Sequence, residues 1–362
     1  MNLTIVAGAR PNFMKIAPII HEINRIKKHN SFINYRLIHT GQHYDQNMSD
    51  SFFKQLNIPS PHINLNCGSG SQAEITSSIM ISFEKELIKN KPDLVLVVGD
   101  VTSTMACAIT SQKLKIKVAH VEGGIRSGDW SMPEEINRLV TDSITNYFFT
   151  TSEYANNNLI NEGVDKKNIY FVGNTMIDTL IANKSKFKKP SIWKSLDLKK
   201  KSYIIITLHR PANVDEKIKL EKLLNEILNN SNGLEIIFPM HPRTKVVFDK
   251  LNIFNSKLHV IEPLSYLEFN FLVLNSFAVI TDSGGITEES TVMNIPCITL
   301  RDNTERPETV IEGTNELIGT DPKNIKPTFH KLLSGKWKQG KIPKFWDGKT
   351  SKRIVKHMLT FK

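Results

Sequence analysis

Residues 277–290, FAVITDSGGITEES, join a short apolar run to a segment with helical spacing through a pair of glycines. The run Phe277–Thr281 predicts a buried strand, and Ser283 lies in the turn that precedes the predicted helix. Glycine lets a ligand approach the backbone without a Cβ in the way, and the first N–H groups of a helix favour an anion. The stretch therefore predicts a strand–turn–helix unit with a phosphate site at its turn. The alternative is that Ser283 caps the helix while Glu288 and Glu289 complement its dipole.

The same alternation of apolar runs and amphipathic segments continues along the chain, which is typical of parallel sheets. The predicted strands of the first half are Asn2–Val6, Tyr35–Ile38, Asp93–Val98, Val118–Val121, Tyr147–Thr150 and Ile169–Val172. Those of the second half are Tyr203–Ile206, Glu235–Phe238, Leu258–Ile261, Ala278–Thr281 and Cys297–Leu300. Because 362 residues exceed the size of one hydrophobic core, we predict two doubly wound Rossmann-like domains. They comprise residues 1–173 and 174–345, and a helix within 346–362 packs back on the first.

Composition narrows the class of protein. The chain is 40% hydrophobic and 23% charged, which is ordinary for a globular protein. No apolar run approaches the roughly 20 residues that span a bilayer, and Arg10 interrupts the first apolar run, so we expect a cytoplasmic protein with no membrane partner. Three widely spaced cysteines predict neither a disulfide framework nor a metal site. The net charge of +11 comes from scattered lysines, so we expect no nucleic-acid partner.

Polar and glycine residues follow seven of the predicted strands. Parallel sheets bind ligands beyond the carboxyl ends of their strands, so these positions are candidates for a site. They are Gly8–Pro11, Gly41–His43, Gly99–Asp100, Glu122–Gly124, His209–Arg210, His241–Arg243 and Asp282–Gly285. One such cluster is explained by the glycines and caps that strand-to-helix turns favour, whereas seven together indicate a site.

Three basic residues at these positions suit an anionic ligand. Arg10 ends the first strand segment and Lys15 lies in the first turns of the next helix, so both point to the same place above the sheet. The alternatives are a structural ion pair for Arg10 and a surface position for Lys15. His209 follows a strand, where a catalytic role competes with that of a structural histidine.

Asp100, Glu122 and Glu134 supply three carboxylates after neighbouring strands. General acid–base chemistry at a C–H bond needs such a group desolvated and close to its proton. Glu134 follows Pro133, which favours the first position of a helix, and the alternative for Glu134 is an i,i+4 ion pair with Arg138.

One glycine-rich stretch is a misleading match. Gly68–Ala73, GSGSQA, fits the G-x-G-x-x-A fingerprint of dinucleotide sites. The preceding segment, Pro61–Cys67, is short and begins with proline, so it is a poor candidate for the strand before such a site. The match also lies outside the first βα unit of the chain, where the fingerprint is expected. We predict a glycine loop that caps a helix beginning near Ala73, and no bound NAD.

Taken in order, the strand-end motifs resemble the non-hydrolysing UDP-N-acetylglucosamine 2-epimerase family. The resemblance runs from residue 2 to about residue 321 and rests on GARPNFMKIAPII, TGQHYD, VVGDVTSTMACA, VEGGIRSGDWSMPEEINR, VGNTMIDT, TLHRPANVD, MHPRT, TDSGGITEES and LRDNTERPETVIEGTNELIGTD. It implies a glycosyltransferase-B fold with an active-site cleft between two Rossmann-like domains, and a homodimer. It also implies interconversion of UDP-GlcNAc and UDP-ManNAc through elimination and re-addition of UDP, with a 2-acetamidoglucal intermediate and no cofactor.

The resemblance also assigns roles to residues. It places the UDP diphosphate on Arg10, Lys15, His209, Ser283, Gly284, Gly285 and Arg306. It places the ribose hydroxyls on Glu289, uracil beside Phe269, and C2 proton transfer on Asp100, Glu122 and Glu134, without separating base from acid. His209 is a candidate for assisting the departure of UDP. Candidates for a second, regulatory UDP-GlcNAc site, with ordinary surface polarity as the alternative, are Gln42, His43, Gln46, Arg210 and His241.

Four other functions stay open at this point. Related enzymes that act on UDP-2,3-diacetamido sugars share nearly all of these motifs. A hydrolysing epimerase, a glycosyltransferase of the same fold and a non-enzymatic nucleotide-sugar sensor are the others.

Overall fold

A computed structural model of the chain describes residues 1–28, 33–41, 53, 56–240, 242–251 and 253–361. These residues form two compact units. Unit 1 comprises Met1–Ile181 and Lys344–Lys362, and unit 2 comprises Ala182–Pro343. Both are α/β structures with a parallel sheet, as predicted, and each is described by itself.

Unit 1 has a seven-stranded parallel sheet with the strand order β3-β2-β1-β4-β5-β6-β7. The strands are β1 (Asn2–Ala7), β2 (Asn34–His39), β3 (Ile63–Asn64), β4 (Leu94–Val98), β5 (Lys117–Val121), β6 (Tyr147–Thr150) and β7 (Ile169–Phe171). The helices are α1 (Arg10–Lys27), α2 (Gln72–Lys89), α3 (Thr102–Lys113), α4 (Pro133–Ser143), α5 (Glu153–Asn161), α6 (Thr175–Asn183) and α15 (Thr350–Met358).

Unit 2 has a six-stranded parallel sheet with the strand order β10-β9-β8-β11-β12-β13. The strands are β8 (Tyr203–Thr207), β9 (Glu235–Pro239), β10 (Leu258–Ile261), β11 (Ala278–Thr281), β12 (Cys297–Thr299) and β13 (Asn315–Leu317). The helices are α7 (Ser191–Ser195), α8 (Pro211–Val214), α9 (Lys217–Asn230), α10 (Pro242–Phe248), α11 (Tyr266–Asn275), α12 (Gly284–Val292), α13 (Pro307–Ile311) and α14 (Ile325–Leu333). None of the helices in the described part of the chain is long and apolar enough to cross a membrane.

The central strands are continuous apolar runs because helices cover both faces of each sheet. All of β4, with the sequence LVLVV, is buried, and Tyr203–Ile206 of β8 have no exposed surface. The strands predicted from sequence are all present, with ends shifted by at most one residue. The sequence missed β3 and β13, which are edge strands of two and three residues and are too short to show periodicity.

The last helix returns to unit 1. The carboxylate of Asp178 on α6 accepts the backbone N–H groups of Thr350 and Ser351 at the start of α15, at 3.0 and 2.7 Å. The boundary drawn from sequence after residue 173 puts α6 in the second domain, whereas most of α6 groups with unit 1 in the structure.

Each sheet has one point where the strand order reverses direction. It lies between β1 and β4 in unit 1 and between β8 and β11 in unit 2. Two adjacent connections leave in opposite directions there and open a crevice at the carboxyl ends, where such sheets bind ligands. Of the candidate residues, Arg10, Asp100, His209 and Ser283 follow these four strands, whereas Glu122 and Arg306 follow β5 and β12.

Candidate active site

The turn after β1 is held by a side chain that sequence analysis did not select. Asn12 Oδ1 accepts the backbone N–H groups of Gly8 and Ala9 at 3.1 and 3.0 Å. Its Nδ2 donates to the carbonyl oxygen of Val98 at the end of β4, at 3.1 Å. Asn12 thus ties the turn that carries Arg10, an exposed residue at the start of α1, to the neighbouring strand. Its place at the third helical position was the available signal, because a side chain there can bond back to the helix start.

Two of the predicted carboxylates are ion-paired. Glu122 Oε2 lies 2.8 Å from Lys15 Nζ, with 3% and 12% of the two side chains exposed. Glu122 has a φ of +73°, in a region that L residues rarely adopt. Asp100 Oδ2 lies 2.5 Å from Arg138 Nη2, and Arg138 Nη1 lies 2.6 Å from Glu135 Oε2. Lys15, predicted for the diphosphate, is thus also the partner of a carboxylate predicted for proton transfer.

Glu134 is half-buried in the first turn of α4, after Pro133 as predicted. It lines a cavity of about 360 Å³ with Gly68, Gln72 and Asn137. Asn137 Nδ2 donates to the carbonyl oxygen of Asp100 at 2.8 Å, which links the start of α4 to the turn after β4.

The glycine loop beside this cavity is a helix cap, as its sequence context predicted. Ser71 Oγ accepts the N–H of Glu74 at 3.3 Å, and the N–H of Ser71 donates to Glu74 Oε2 at 2.7 Å. These reciprocal bonds form a capping box at the start of α2.

A buried histidine–aspartate pair braces the turns that carry the two ion-paired carboxylates. His120 on β5 has no exposed surface, and its Nδ1 and Nε2 lie 2.6 Å from Asp142 Oδ1 and 2.8 Å from the carbonyl oxygen of Gly99. Asp142 Oδ2 accepts the N–H of Gly124 at 2.9 Å and Arg126 Nη1 at 2.8 Å. Burial acts to raise the pKa of Asp142, but His120, Arg126 and Gly124 together lower it below its usual range. A single histidine inside an apolar strand carried no sequence signal for this role.

In unit 2, the turns after β8 and β11 meet at a second histidine–aspartate pair. His209 Nδ1 lies 2.9 Å from Asp282 Oδ1; 47% of the histidine side chain is exposed and none of the aspartate side chain is. Asp282 also accepts the backbone N–H groups of His209 and Arg210, at 3.1 and 2.9 Å. Burial acts to raise the pKa of Asp282, but hydrogen bonds from His209, Arg210 and Asn213 lower it below its usual range.

Ser283, Gly284 and Gly285 form the start of α12 directly after this pair. No capping hydrogen bond from the Ser283 hydroxyl is found in the described part of the chain, so the capping alternative for Ser283 is not supported. A Cβ added to Gly284 would lie 2.7 Å from Glu305 Oε1, whereas one added to Gly285 would meet no described atom within 4 Å. A side chain at position 284 would therefore have to displace the Glu305 carboxylate, whereas Gly285 borders open space at the helix start.

Glu289 is buried one turn further along α12. Its Oε1 accepts the hydroxyl of Tyr266 at 2.8 Å, and Tyr266 lies on α11 beside the half-buried Phe269. Burial raises the pKa of Glu289 to about 7, although Tyr266 and Asn270 act to lower it. The residues predicted for ribose and uracil thus lie on neighbouring helices, and Tyr266 is a supporting residue that the sequence did not reveal.

Arg306 precedes α13 and is paired with Glu288, and both side chains are buried. Glu308, two residues further on, is 1% exposed. Arg306 is therefore a buried cation among carboxylates, as well as the predicted diphosphate ligand.

Most of the predicted regulatory residues lie outside the described residues. They are Gln42, His43, Gln46 and His241. Arg210 is described: its Nε donates to the main-chain oxygen of Asp282 at 3.0 Å, and its Nη2 lies 3.8 Å from Glu305 Oε1. A regulatory role for these residues stays a prediction.

Comparison with known proteins identifies close relatives along the whole chain. The sequence model of the family described as UDP-N-acetylglucosamine 2-epimerase matches residues 24–359. A UDP-N-acetylglucosamine 2-epimerase of Methanocaldococcus jannaschii is 42% identical over 374 residues, which cover 100% of this chain and 99% of the relative. A UDP-2,3-diacetamido-2,3-dideoxy-D-glucuronate 2-epimerase of Pseudomonas aeruginosa is 36% identical over 363 residues, which cover 99% of each.

The fold is also that of a solved relative. The crystal structure of the Methanocaldococcus jannaschii UDP-GlcNAc 2-epimerase in complex with UDP-GlcNAc and UDP matches with a TM-score of 0.87 and 43% identity. The match covers 99% of both chains.

Proposed function

Because the chain belongs to the UDP-N-acetylglucosamine 2-epimerase family, we propose that it interconverts UDP-GlcNAc and UDP-ManNAc. The observation that carries the proposal is the placement of the matched residues. Those matched to diphosphate and proton-transfer positions follow the carboxyl ends of β1, β4 and β5 in unit 1 and of β8, β11 and β12 in unit 2. Parallel sheets bind their ligands at these ends.

In this proposal unit 2 binds the UDP group. The start of α12 supplies backbone N–H groups and the positive end of a helix dipole, and His209 and Arg306 supply polar and cationic side chains for the diphosphate. Glu289 accepts the ribose hydroxyls. The C2 proton of an acetamido sugar is weakly acidic, so catalysis depends mainly on stabilising the leaving diphosphate by groups already in place.

Unit 1 supplies the proton-transfer groups. In the elimination, a carboxylate takes the C2 proton, the C–H electron pair forms the C1–C2 double bond, and the C1–O bond breaks to release UDP. In the return step, an oxygen of UDP attacks C1 and a second carboxyl group donates a proton to C2 on the opposite face. Asp100, Glu122 and Glu134 are the candidates, and the ion pairs of Asp100 and Glu122 hold two of them in place.

The direct test is to incubate the protein with UDP-GlcNAc in D₂O and to follow C2 by NMR. We expect deuterium at C2 and both epimers at equilibrium. At least one of Asp100→Asn, Glu122→Gln and Glu134→Gln should slow exchange by about 100-fold or more. Glu153→Gln, which removes a charge from an exposed ion pair in unit 1, is the control and should leave the rate unchanged.

The same experiment separates the competing functions. No exchange in the wild-type protein means that the chain is not an epimerase for this substrate, and unchanged exchange in all three variants means that the carboxylates are wrongly assigned. Release of free ManNAc identifies a hydrolysing epimerase. Sugar transfer only when an acceptor is added identifies a glycosyltransferase, and binding without exchange identifies a sensor.

A second candidate substrate is a UDP-2,3-diacetamido sugar. It is favoured by the 36% identity to the Pseudomonas aeruginosa enzyme over nearly the whole length of both chains. Comparing kcat/KM for the two UDP-sugars decides between them. We expect UDP-GlcNAc to be preferred, and a higher kcat/KM for the diacetamido sugar contradicts the first proposal.

We also propose a second, regulatory UDP-GlcNAc site, and Arg210 is its one candidate residue within the part of the chain that the structure describes. If UDP-GlcNAc binds a second site and activates the protein, UDP-ManNAc alone is converted slowly and a trace of UDP-GlcNAc accelerates it. Full activity on UDP-ManNAc alone argues against obligatory activation. A cytoplasmic location is also proposed, and three buried free cysteines fit a reducing compartment.

We further propose a homodimer that forms through the α2–α3–α4 face of unit 1. Ile81 and Ile88 are 56% and 69% exposed and lie two turns apart on α2, and Ile136 on α4 is 44% exposed. These helices pack side by side, and large apolar side chains exposed on one face indicate a candidate association site. Sedimentation equilibrium should show a dimer, Ile88→Asp should convert it to a monomer, and Phe254→Asp, at an exposed apolar residue of unit 2, should leave it dimeric. A wild-type monomer refutes this part.

A further inference from the structure

We propose that Asp282 is a positioning residue that holds His209 with a proton on Nδ1 and presents its Nε2 to the departing diphosphate oxygen. The identity of the ligand rests on the proposed function. The state and direction of the ring rest on contacts within unit 2.

The carboxylate of Asp282 is surrounded by donors. It accepts hydrogen bonds from the backbone N–H groups of His209 and Arg210, and from Nδ2 of Asn213 at 3.2 Å. It also lies 2.9 Å from His209 Nδ1. Asn213 is 1% exposed and also donates to the carbonyl oxygen of Leu300 at 2.9 Å. These contacts hold the carboxylate in one orientation. An ionised carboxylate can only accept hydrogen bonds. The proton between it and His209 must belong to the imidazole.

The exposure of the two side chains sets the direction of the ring. Asp282 has no exposed surface, whereas 47% of the His209 side chain is exposed. Because Nδ1 is engaged with the buried carboxylate, Nε2 is the ring nitrogen available to a ligand. When the ring takes a second proton, Nε2 becomes a donor and the buried carboxylate compensates the positive charge.

The same aspartate also places the predicted phosphate cradle. It directly precedes Ser283 and the two glycines that begin α12, and its main-chain oxygen accepts Arg210 Nε at 3.0 Å. One residue therefore sets the position of both the imidazole and the helix start. When the C1–O bond breaks and its electron pair passes to the diphosphate oxygen, Nε2–H of the doubly protonated ring donates a hydrogen bond that stabilises that oxygen. The proton stays on the ring, and the reverse step breaks the hydrogen bond.

Unit 2 contains a natural reference for the ring state. His259 Nε2 lies 2.6 Å from Glu235 Oε2, so this second pair engages the other ring nitrogen. In the neutral rings we expect the proton on Nδ1 of His209 and on Nε2 of His259. Long-range ¹H–¹⁵N correlation spectra of the full-length protein distinguish the two forms and depend on no activity.

Two substitutions test the role of Nε2. The amide of glutamine reaches about as far as Nε2 of histidine, and that of asparagine about as far as Nδ1. We expect His209→Gln to retain a kcat about tenfold or more above that of His209→Asn, with KM similar in both. His259→Gln, in the reference pair, should leave kcat and KM unchanged.

Substitution of the aspartate completes the test. Asp282→Asn replaces an acceptor of several N–H groups by an amide, and we expect it to lower kcat about 100-fold while His209 becomes a mixture of both ring forms. A neutral wild-type His209 ring that carries its proton on Nε2 overturns the proposal, and so does a His209→Asn protein as active as His209→Gln. If the wild-type protein does not exchange C2 at all, the proposed function fails, while the ring spectra still decide the orientation.

Discussion

Glu308 offers a test of how burial controls charge in unit 2. Its side chain is 1% exposed, and its carboxyl oxygens are hydrogen-bonded to no other described residue. Burial raises its pKa to about 7 from the ordinary 4.5, although Arg306 acts to lower it, and Glu288 and Glu312 raise it further. Glu308→Gln keeps the shape of the neutral side chain and removes its titration.

The sign of the effect follows from linkage. The unfolded chain loses this proton near pH 4.5 and the folded chain near pH 7, so between these values unfolding releases a proton and folded stability falls as pH rises. The loss of folding free energy caused by ionising Glu308 is absent below about pH 4.5 and complete above about pH 7, where it amounts to about 3 kcal/mol. Glu308→Gln should therefore match the wild-type protein at about pH 4.5 and be more stable by up to about 3 kcal/mol at about pH 8.

The assay is equilibrium urea unfolding of both proteins at a series of pH values. Glu262→Gln is the control, because it removes the same charge from an exposed position of unit 2 and should show no such gain in stability between about pH 4.5 and about pH 8. A Glu308→Gln protein whose stability difference from wild type is the same at both ends of the pH range refutes the reasoning.

Three other predictions concern the candidate site. Glu289 has a pKa of about 7 because it is buried, so ligand hydroxyls that stabilise its carboxylate should tighten UDP binding by up to about tenfold from about pH 6 to pH 8. Calorimetry should show that Glu289→Gln loses this dependence, and a slope that it retains contradicts the assignment. Lys15 and Glu122 lie 2.8 Å apart, so their effects on kcat should be coupled. Expressed as activation free energies, the loss in the double variant Lys15→Met/Glu122→Gln should be smaller than the sum of the losses in the two single variants, and fully additive losses rule out coupling. His120→Gln replaces the two ring nitrogens that lie 2.6 Å from Asp142 Oδ1 and 2.8 Å from the carbonyl oxygen of Gly99 by a single amide nitrogen, which cannot occupy both places. We therefore expect kcat for C2 exchange to fall about tenfold or more with little change in UDP affinity, and an equal loss of UDP affinity indicates a general structural role instead.

Much of the fold was predictable because its signals are local. A strand buried on both faces in a parallel sheet is a continuous apolar run, as in Leu94–Val98 and Tyr203–Thr207, whatever its neighbours are. The candidate residues were predictable for a related reason. A polar cluster directly after such a run lies at the carboxyl end of a strand, where ligands bind. The edge strand Asn315–Leu317 was not predicted, because three residues are too few to show a periodic pattern of hydrophobicity.

The amino-acid order by itself determined which residues form strands, where helices begin and which strand ends carry polar groups. Only the tertiary structure decided the partners of those groups. Lys15 reaches Glu122 across 107 positions, and Asp282 reaches His209 across 73. Such contacts depend on which strands become neighbours. The strand order results from packing the whole sheet against its helices. The sequence around each of the two contacting residues therefore contains no pattern that would reveal its partner.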